Sequence, residues 1–191
     1  MRIFVLLADA LEYPDQQSDN RLGEFAAALV EFSRNGRLTP ENLAGVEKLV
    51  EQFRRARNSA PLSRLEEIYT STFDLRADCS LYAGYHLFGD DWRRSSYLVQ
   101  LRQRYRLRSF PAGAEMPDHI PTMLRFLARP GALEDADEII GECLIPAVSQ
   151  ILDRIKGAAN PYQFILEALL ICLRAVCVSQ EATASAGNKQ G

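Results

Sequence analysis

The chain offers its most chemically suggestive spacing at Glu115-Met116-Pro117-Asp118-His119, where two carboxylates and an imidazole fall within five residues. Such a set could ligate a metal, move a proton, or grip a cation on another molecule. A metal shell is hard to complete, because the chain has two histidines, His86 and His119, and no H-E-x-x-H or second Asp/His cluster. General acid–base catalysis needs a nucleophile or cofactor loop as partner, and no G-x-S-x-G, P-loop or G-x-G-x-x-G motif is present. The cysteines Cys79, Cys143, Cys172 and Cys177 contain no C-x-x-C. On a helix Cys172 and Cys177 point about 140° apart, so all four read as buried free thiols of a reducing compartment. The expectation is a protein that is not an enzyme, with no metal and no stably bound cofactor.

A structural role covers part of the motif. Asp118 stands where a helix N-cap would stand, its carboxylate placed to accept the Ile120 amide, and Pro121 costs only an amide that lacks a helical partner. Ile120, Leu124 and Leu127 then read as the inward stripe of a helix ending at Pro130-Gly131. Capping leaves Glu115 and His119 unexplained. A second cluster, LEEIYTSTFD, sets Tyr69 and Phe73 four residues apart on one helix face, followed by Asp74, and Tyr82, Tyr85, Phe88 and Trp92 come soon after. Acids interleaved with large apolar side chains suit a peptide that is both basic and hydrophobic. A third cluster is basic: Arg93, Arg94, Arg102, Arg104, Arg106 and Arg108 lie within sixteen residues. They read either as the solvated face of a helix or, for Arg93, Arg94, Arg102 and Arg106 in particular, as a patch for an anion or an acidic partner surface.

The elements that must position these groups are helical. Apolar residues recur at helical spacing in Ile3–Leu11, Leu22–Val30, Leu43–Phe53 and Leu65–Thr72. Tyr13-Pro14-Asp15 stops the first run, Asn35-Gly36 the second, Thr39-Pro40 caps and opens the third, and Pro61 opens the fourth. A loop, a short helix over Leu81–Phe88 and a turn at Gly89-Asp90 precede a longer helix through Leu98, Leu101 and Tyr105. Ser109–Pro117, with two prolines and one glycine, reads as a linker and a hinge. After the helix of Ile120–Leu127 come an acidic helix starting near Leu133, a helix over Pro146–Lys156 and a core helix over Pro161–Val178. No stretch alternates with period 2 long enough for a strand. The predicted fold is all-α, a single-domain bundle of about eight to ten helices spanning 1–178, with 179–191 as a disordered polar tail.

Totals narrow the function classes. With 22 basic against 25 acidic residues and a pI near 5.5, the chain does not read as a general nucleic-acid binder. Ile3–Ala8 is too short for a signal peptide's apolar core and meets Asp9, and no segment reaches the length of a membrane span, so a cytoplasmic location is expected.

The order and spacing of Y-T-S-T-F-D (69–74) and E-M-P-D-H (115–119) in an all-helical chain resemble the TorD/DmsD/NarJ family of cytosolic chaperones dedicated to molybdenum oxidoreductases. The opening LLADALEYPD is similar to the family's first helix. CSLYAGYHLFGDDWRRSSYLVQLRQRYR looks most like the NarJ branch, which assists respiratory nitrate reductases. The resemblance spans roughly Ile3–Val178. It implies binding of the N-terminal leader or remnant peptide of an apo catalytic subunit, and help with insertion of molybdopterin guanine dinucleotide, without stable cofactor binding or membrane insertion, by a monomer or a weak or domain-swapped dimer. Carried onto this chain, the motifs mark Tyr69, Phe73 and Asp74, then Glu115, Pro117, Asp118 and His119, as peptide-binding residues. Tyr85, His86, Ile120 and Leu124 join them from the neighbouring segments. Gly84-Tyr85 stand before His86, where the nitrate reductase group is expected to carry an acid, so ethylbenzene dehydrogenase-, selenate- and chlorate-type clients stay open. Two readings of other classes are a small helical enzyme or nucleotide binder using Asp118 and His119, and a regulatory scaffold.

Overall fold

The computed structural model describes residues 1–15, 21–34, 37–132, 136–157 and 159–187. Among them are nine α-helices and no strand: α1 (Arg2–Ala10), α2 (Phe25–Arg34), α3 (Pro40–Asn58), α4 (Leu62–Tyr69), α5 (Ala83–Phe88), α6 (Trp92–Leu107), α7 (Ile120–Leu127), α8 (Ile145–Ile155) and α9 (Tyr162–Gly187). The predicted all-α class and helix number hold. Local chemistry sets several boundaries. Thr39 Oγ1 accepts the Asn42 amide at 3.2 Å with Pro40 in the first turn of α3. Asp91 accepts the Arg93 amide at 2.8 Å to start α6. Gly89, at φ +58°, ends α5 in a conformation other residues enter only under strain.

Two π-helical segments interrupt the regular turns. Thr70–Asp74 continues α4, with the Leu75 amide reaching back to the Thr70 carbonyl at 3.0 Å. Glu138–Leu144 leads directly into α8. The sequence predicts an acidic helix separate from one starting at Pro146, but the backbone is helical without a break over 136–155. Pro146 has no amide and its ring crowds the carbonyl four residues back, and a widened turn ahead of it absorbs both defects without ending the helix. The predicted start near Leu133 lies outside the described residues. At the other end, α9 carries helical backbone past Val178 to Gly187, into the segment read as tail. Gln180, Glu181, Ala182 and Ala184 there have high helix propensity. Residues 188–191 lie outside the described part.

Helix α9 packs along α3 and against α8, while α1 packs on α7 and α2. Phe4, Leu7, Leu29, Phe53, Ile120 and Leu124 belong to one continuous buried cluster. The start of α9 meets the π segment through aromatic rings. Tyr162 lies 5.6 Å from Phe53, 5.6 Å from Tyr69 and 5.0 Å from Phe73, and Tyr69 and Phe73 stand edge to face at 5.1 Å. Asn160 Nδ2 donates to Thr72 Oγ1 at 2.8 Å, and that hydroxyl donates to the Ile68 carbonyl at 2.6 Å. Aromatic packing and these bonds hold the widened turn in place.

The Tyr162 hydroxyl is buried without a hydrogen-bond partner. Its removal therefore forfeits little, whereas removal of the ring opens a cavity among three aromatic neighbours. Urea denaturation is expected to find Tyr162→Phe within about 1 kcal/mol of the parent, or more stable. Tyr162→Ala should lose about 3–5 kcal/mol.

Candidate functional site

The E-M-P-D-H segment has no helix of its own. It is tied to the stretch before α5 by a pair of antiparallel backbone bonds: Ala83 donates its amide to the Asp118 carbonyl, and Ile120 donates to the Leu81 carbonyl, both at 2.8 Å. Tyr82 and His119 are the paired residues of this isolated bridge, so their side chains share a face, with ring centres 5.3 Å apart. Tyr105 fixes the segment from below, its hydroxyl donating to the Pro117 carbonyl at 2.7 Å.

Asp118 points the other way, into the interior, and is fully buried. Its Oδ2 accepts from Arg94 Nε and Nη2, each at 3.0 Å, and its Oδ1 has no partner. The predicted capping role is thereby corrected. His119 occupies the N-cap position of α7 without a side-chain capping bond to a backbone amide, and the Ile120 amide is spent on Leu81 instead. The Arg94 guanidinium also lies over the rings of Tyr82 and Tyr85, at 5.9 and 5.8 Å. Gly84 makes room for the pair: a Cβ there would stand 2.8 Å from Asp118 Oδ2. Glycine at 84, in the segment where an acid was expected, is what the buried carboxylate demands.

On the Tyr82–His119 side the fold forms a cleft of about 210 Å³, lined by Glu12, Tyr13, Tyr69, Phe73, Asp74, Leu81, Tyr82, Glu115 and His119. Five of the residues singled out from sequence meet here: Tyr69, Phe73, Asp74, Glu115 and His119. Asp74 and Glu115 are exposed at its edge, and Glu115 accepts the Tyr82 hydroxyl at 2.8 Å. Burial and that bond to a carboxylate push the Tyr82 phenol up to about 12. Tyr69 is pinned beneath, donating to the Leu11 carbonyl at 3.2 Å, with Tyr13 edge-on to its ring at 5.4 Å. Arg125 approaches from α7, pairing with Glu12 at 2.5 Å and Asp9 at 2.8 Å. Among the described residues lining the cleft none is Lys or Arg, so it presents acids over an aromatic floor.

Other expected residues lie elsewhere. Ile120 and Leu124 are fully buried core residues, because α7 turns its apolar face onto α1. Pro117 is buried behind the motif, and Asp118 is sealed inside with no surface to offer a substrate or a peptide. His86 bonds the Ser80 carbonyl at 2.7 Å, and Tyr85 lies under Arg94; neither lines the cleft. The arginine patch is divided: Arg93 pairs with its cap residue Asp91, Arg94 with Asp118 and Arg104 with Glu138, while Arg102 and Arg106 are exposed. Glu12, Tyr13, Leu81 and Tyr82 were not among the expected site residues. The signal for Glu12 and Tyr13 was the helix stop at Pro14, which turns them out of α1 toward the π segment.

Comparisons with known proteins place this geometry. Residues 39–161, which include both motifs, match the family model of the nitrate reductase delta subunit. The chain belongs to that family. The resemblance drawn from Y-T-S-T-F-D and E-M-P-D-H is thus confirmed. Among curated relatives of this delta subunit family member, the "probable nitrate reductase molybdenum cofactor assembly chaperone NarJ" of Bacillus subtilis is 27% identical over 178 residues, covering 93% of this chain and 91% of that protein. The "nitrate reductase-like protein NarX" of Mycobacterium tuberculosis is 28% identical over 123 residues, 64% of this chain but 18% of the longer protein. Among the described residues no helix is long and apolar enough to cross a membrane.

Two expectations test the site's construction. Removing one partner of a buried ion pair strands the other, so Arg94→Ala should cost about 3 kcal/mol in urea denaturation. The Arg94→Ala/Asp118→Asn double variant should lose less. Burial holds the His119 imidazole below its ordinary 6.5, outweighing the opposing pull of Glu12 and Glu115. The unfolded chain therefore takes up this proton first. The stability contributed is present above 6.5 and is lost as pH falls through the lowered folded-state value. Between about pH 7.5 and about pH 5.5 the parent's Tm should drop further than that of His119→Gln.

Proposed function

We propose that this chain is a nitrate reductase-type assembly chaperone. Its cleft holds the basic, apolar N-terminal leader or remnant peptide of an apo molybdoenzyme catalytic subunit while molybdopterin guanine dinucleotide is inserted. The observation that carries this reading is the cleft's composition: carboxylates of Glu12, Asp74 and Glu115 around the rings of Tyr13, Tyr69, Phe73 and Tyr82, with no Lys or Arg among the described residues lining it. The relative named as a cofactor assembly chaperone matches along nearly its whole length, which supports the same role here. The chain's part is binding, not catalysis. Its cytoplasmic setting follows from the reading, since the client must be held before cofactor loading.

The size of the cleft sets how the ligand is gripped. A volume of about 210 Å³ is below the range of a drug-sized pocket, so it takes one anchoring side chain and its neighbour, and the remaining peptide crosses the surface. A guanidinium entering between Asp74 and Glu115 could bond both carboxylates while its stem lies against Tyr82. Tyr69 and Phe73 are already buried and have little surface left to cover, so apolar burial, at about 25 cal/mol per Å², falls mainly to exposed Tyr13 and to Tyr82, while exposed ion pairs add about 0–1 kcal/mol each and select a basic peptide.

Calorimetry with a synthetic leader peptide and its Arg→Gln counterpart tests this. The basic peptide should bind more tightly, and its affinity should weaken with salt without vanishing. Tyr13→Ala should lose more affinity than Glu115→Gln, and Glu115→Gln/Asp74→Asn should remove most of the preference for the basic peptide. Protonating His119 adds a like charge beside the peptide's arginine, so affinity should fall as pH drops below the ordinary histidine range. Equal binding of both peptides by the folded parent, or parental affinity in all these variants, would exclude the cleft as the leader site.

A further inference from the structure

Helix α6 is apolar on two sides. Leu101 and Tyr105 face the core at 1% and 2% exposure, yet Trp92, Val99 and Leu107 stand at 74%, 62% and 77%. At 100° per residue these three fall within about 80° of arc, at intervals of two helical turns. Ser96 and Gln103 lie between them on the same line, and exposed Arg93, Arg102 and Arg106 border or join it. The helix has five arginines and no acid, in a chain whose formal net charge is −3. Arg93, Arg94 and Arg104 have carboxylate partners, as described above. Arg102 and Arg106 give the outer face its charge.

We infer that the outer face of α6 docks an acidic amphipathic helix of a partner protein, at a surface separate from the leader cleft. Anchors at two-turn intervals form the narrow seam through which one helix packs on another. A membrane surface is the poorer fit, since lying in a bilayer interface requires a continuous apolar face of at least about 100°, and here Ser96 and Gln103 break the line. A basic leader peptide is repelled by the same arginines that attract glutamates and aspartates. The chaperone would then hold its client by two oppositely charged grips, so that the ligand of one cannot occupy the other.

Trp92 is the chain's only tryptophan, so its fluorescence reports directly on this face. The probe is a helical peptide about three heptads long with leucines along one seam and glutamates beside it. Its controls are the same peptide with lysines for glutamates, and phosphatidylglycerol vesicles. The glutamate peptide should shift the emission to the blue in a salt-sensitive titration. Arg102→Glu/Arg106→Glu, shown by circular dichroism to be folded, should weaken it about tenfold or more. An excess of basic leader peptide should leave the titration unchanged, whatever its own affinity for the cleft. No shift with the glutamate peptide, an equal shift with the lysine peptide, or displacement by the leader would overturn the inference. A shift with vesicles alone would make the face a membrane contact, and a blue shift on concentrating the protein alone would make it a self-association surface; either result refutes the inference.

Discussion

The architecture of the site depends on a single buried charge. Asp118 has no exposed surface, and the cost of taking its carboxylate out of water is offset by Arg94, which reaches it from α6 with two bonds of 3.0 Å. That pairing joins α6 to the E-M-P-D-H segment. It also explains why the neighbouring backbone must come so close at Gly84. Around the pair, the two amide–carbonyl bonds between 81–83 and 118–120 act as a short stretch of sheet in a helical protein. Antiparallel pairing sends Tyr82 and His119 to one side and leaves Asp118 on the other. The cleft's outer wall is therefore a consequence of the interior ion pair, and the segment needs no helix of its own to be held.

The opposite wall is built by different means. Thr70–Asp74 leaves α-helical register for a wider turn, which brings Asp74 to the cleft edge while Tyr69 and Phe73 still pack on Tyr162. A wider helical turn in this place is a known way of re-aiming a side chain at a functional site. Glu12 and Tyr13 complete the set because Pro14 ends the chain's first helical excursion beside that turn. Charge is segregated by the same construction. The acids of the cleft and the unspent arginines of α6 sit on separate surfaces of a nearly neutral chain, and Arg94, which joins the two regions, is consumed in holding the fold.

Much of this was legible in the residues, and the parts that were not have physical causes. Helical periodicity and the caps at Thr39 and Pro40 fixed class and many boundaries, because those signals are local. The cleft's acidic–aromatic character was visible in Y-T-S-T-F-D and Glu115, where acids stand beside large rings, although the same spacing also marks Tyr69 and Phe73 as the core residues they are. The inward turn of Asp118 was not visible: an aspartate directly before an expected helix start is a good cap on local grounds, and only the distant Arg94 and the amide of Ile120 bonding to Leu81 make it a buried ion. Ile120 and Leu124 were misplaced toward the groove because helical spacing shows that a face is apolar, not which neighbour covers it. The unbroken run through Pro146 was hidden by the same limit, since a π turn leaves no composition signal.

The Tyr82–His119 side of the molecule, and not the α6 face, is proposed to receive the leader peptide. Photo-crosslinking tests it most directly, with a benzophenone amino acid placed at position 13, exposed at the cleft, or at position 99, exposed on α6. With a basic leader peptide the adduct should form from position 13, be suppressed by unlabelled leader, and be absent from position 99. Crosslinking from position 99 alone, with position 13 silent in a folded protein, would contradict the assignment of the cleft.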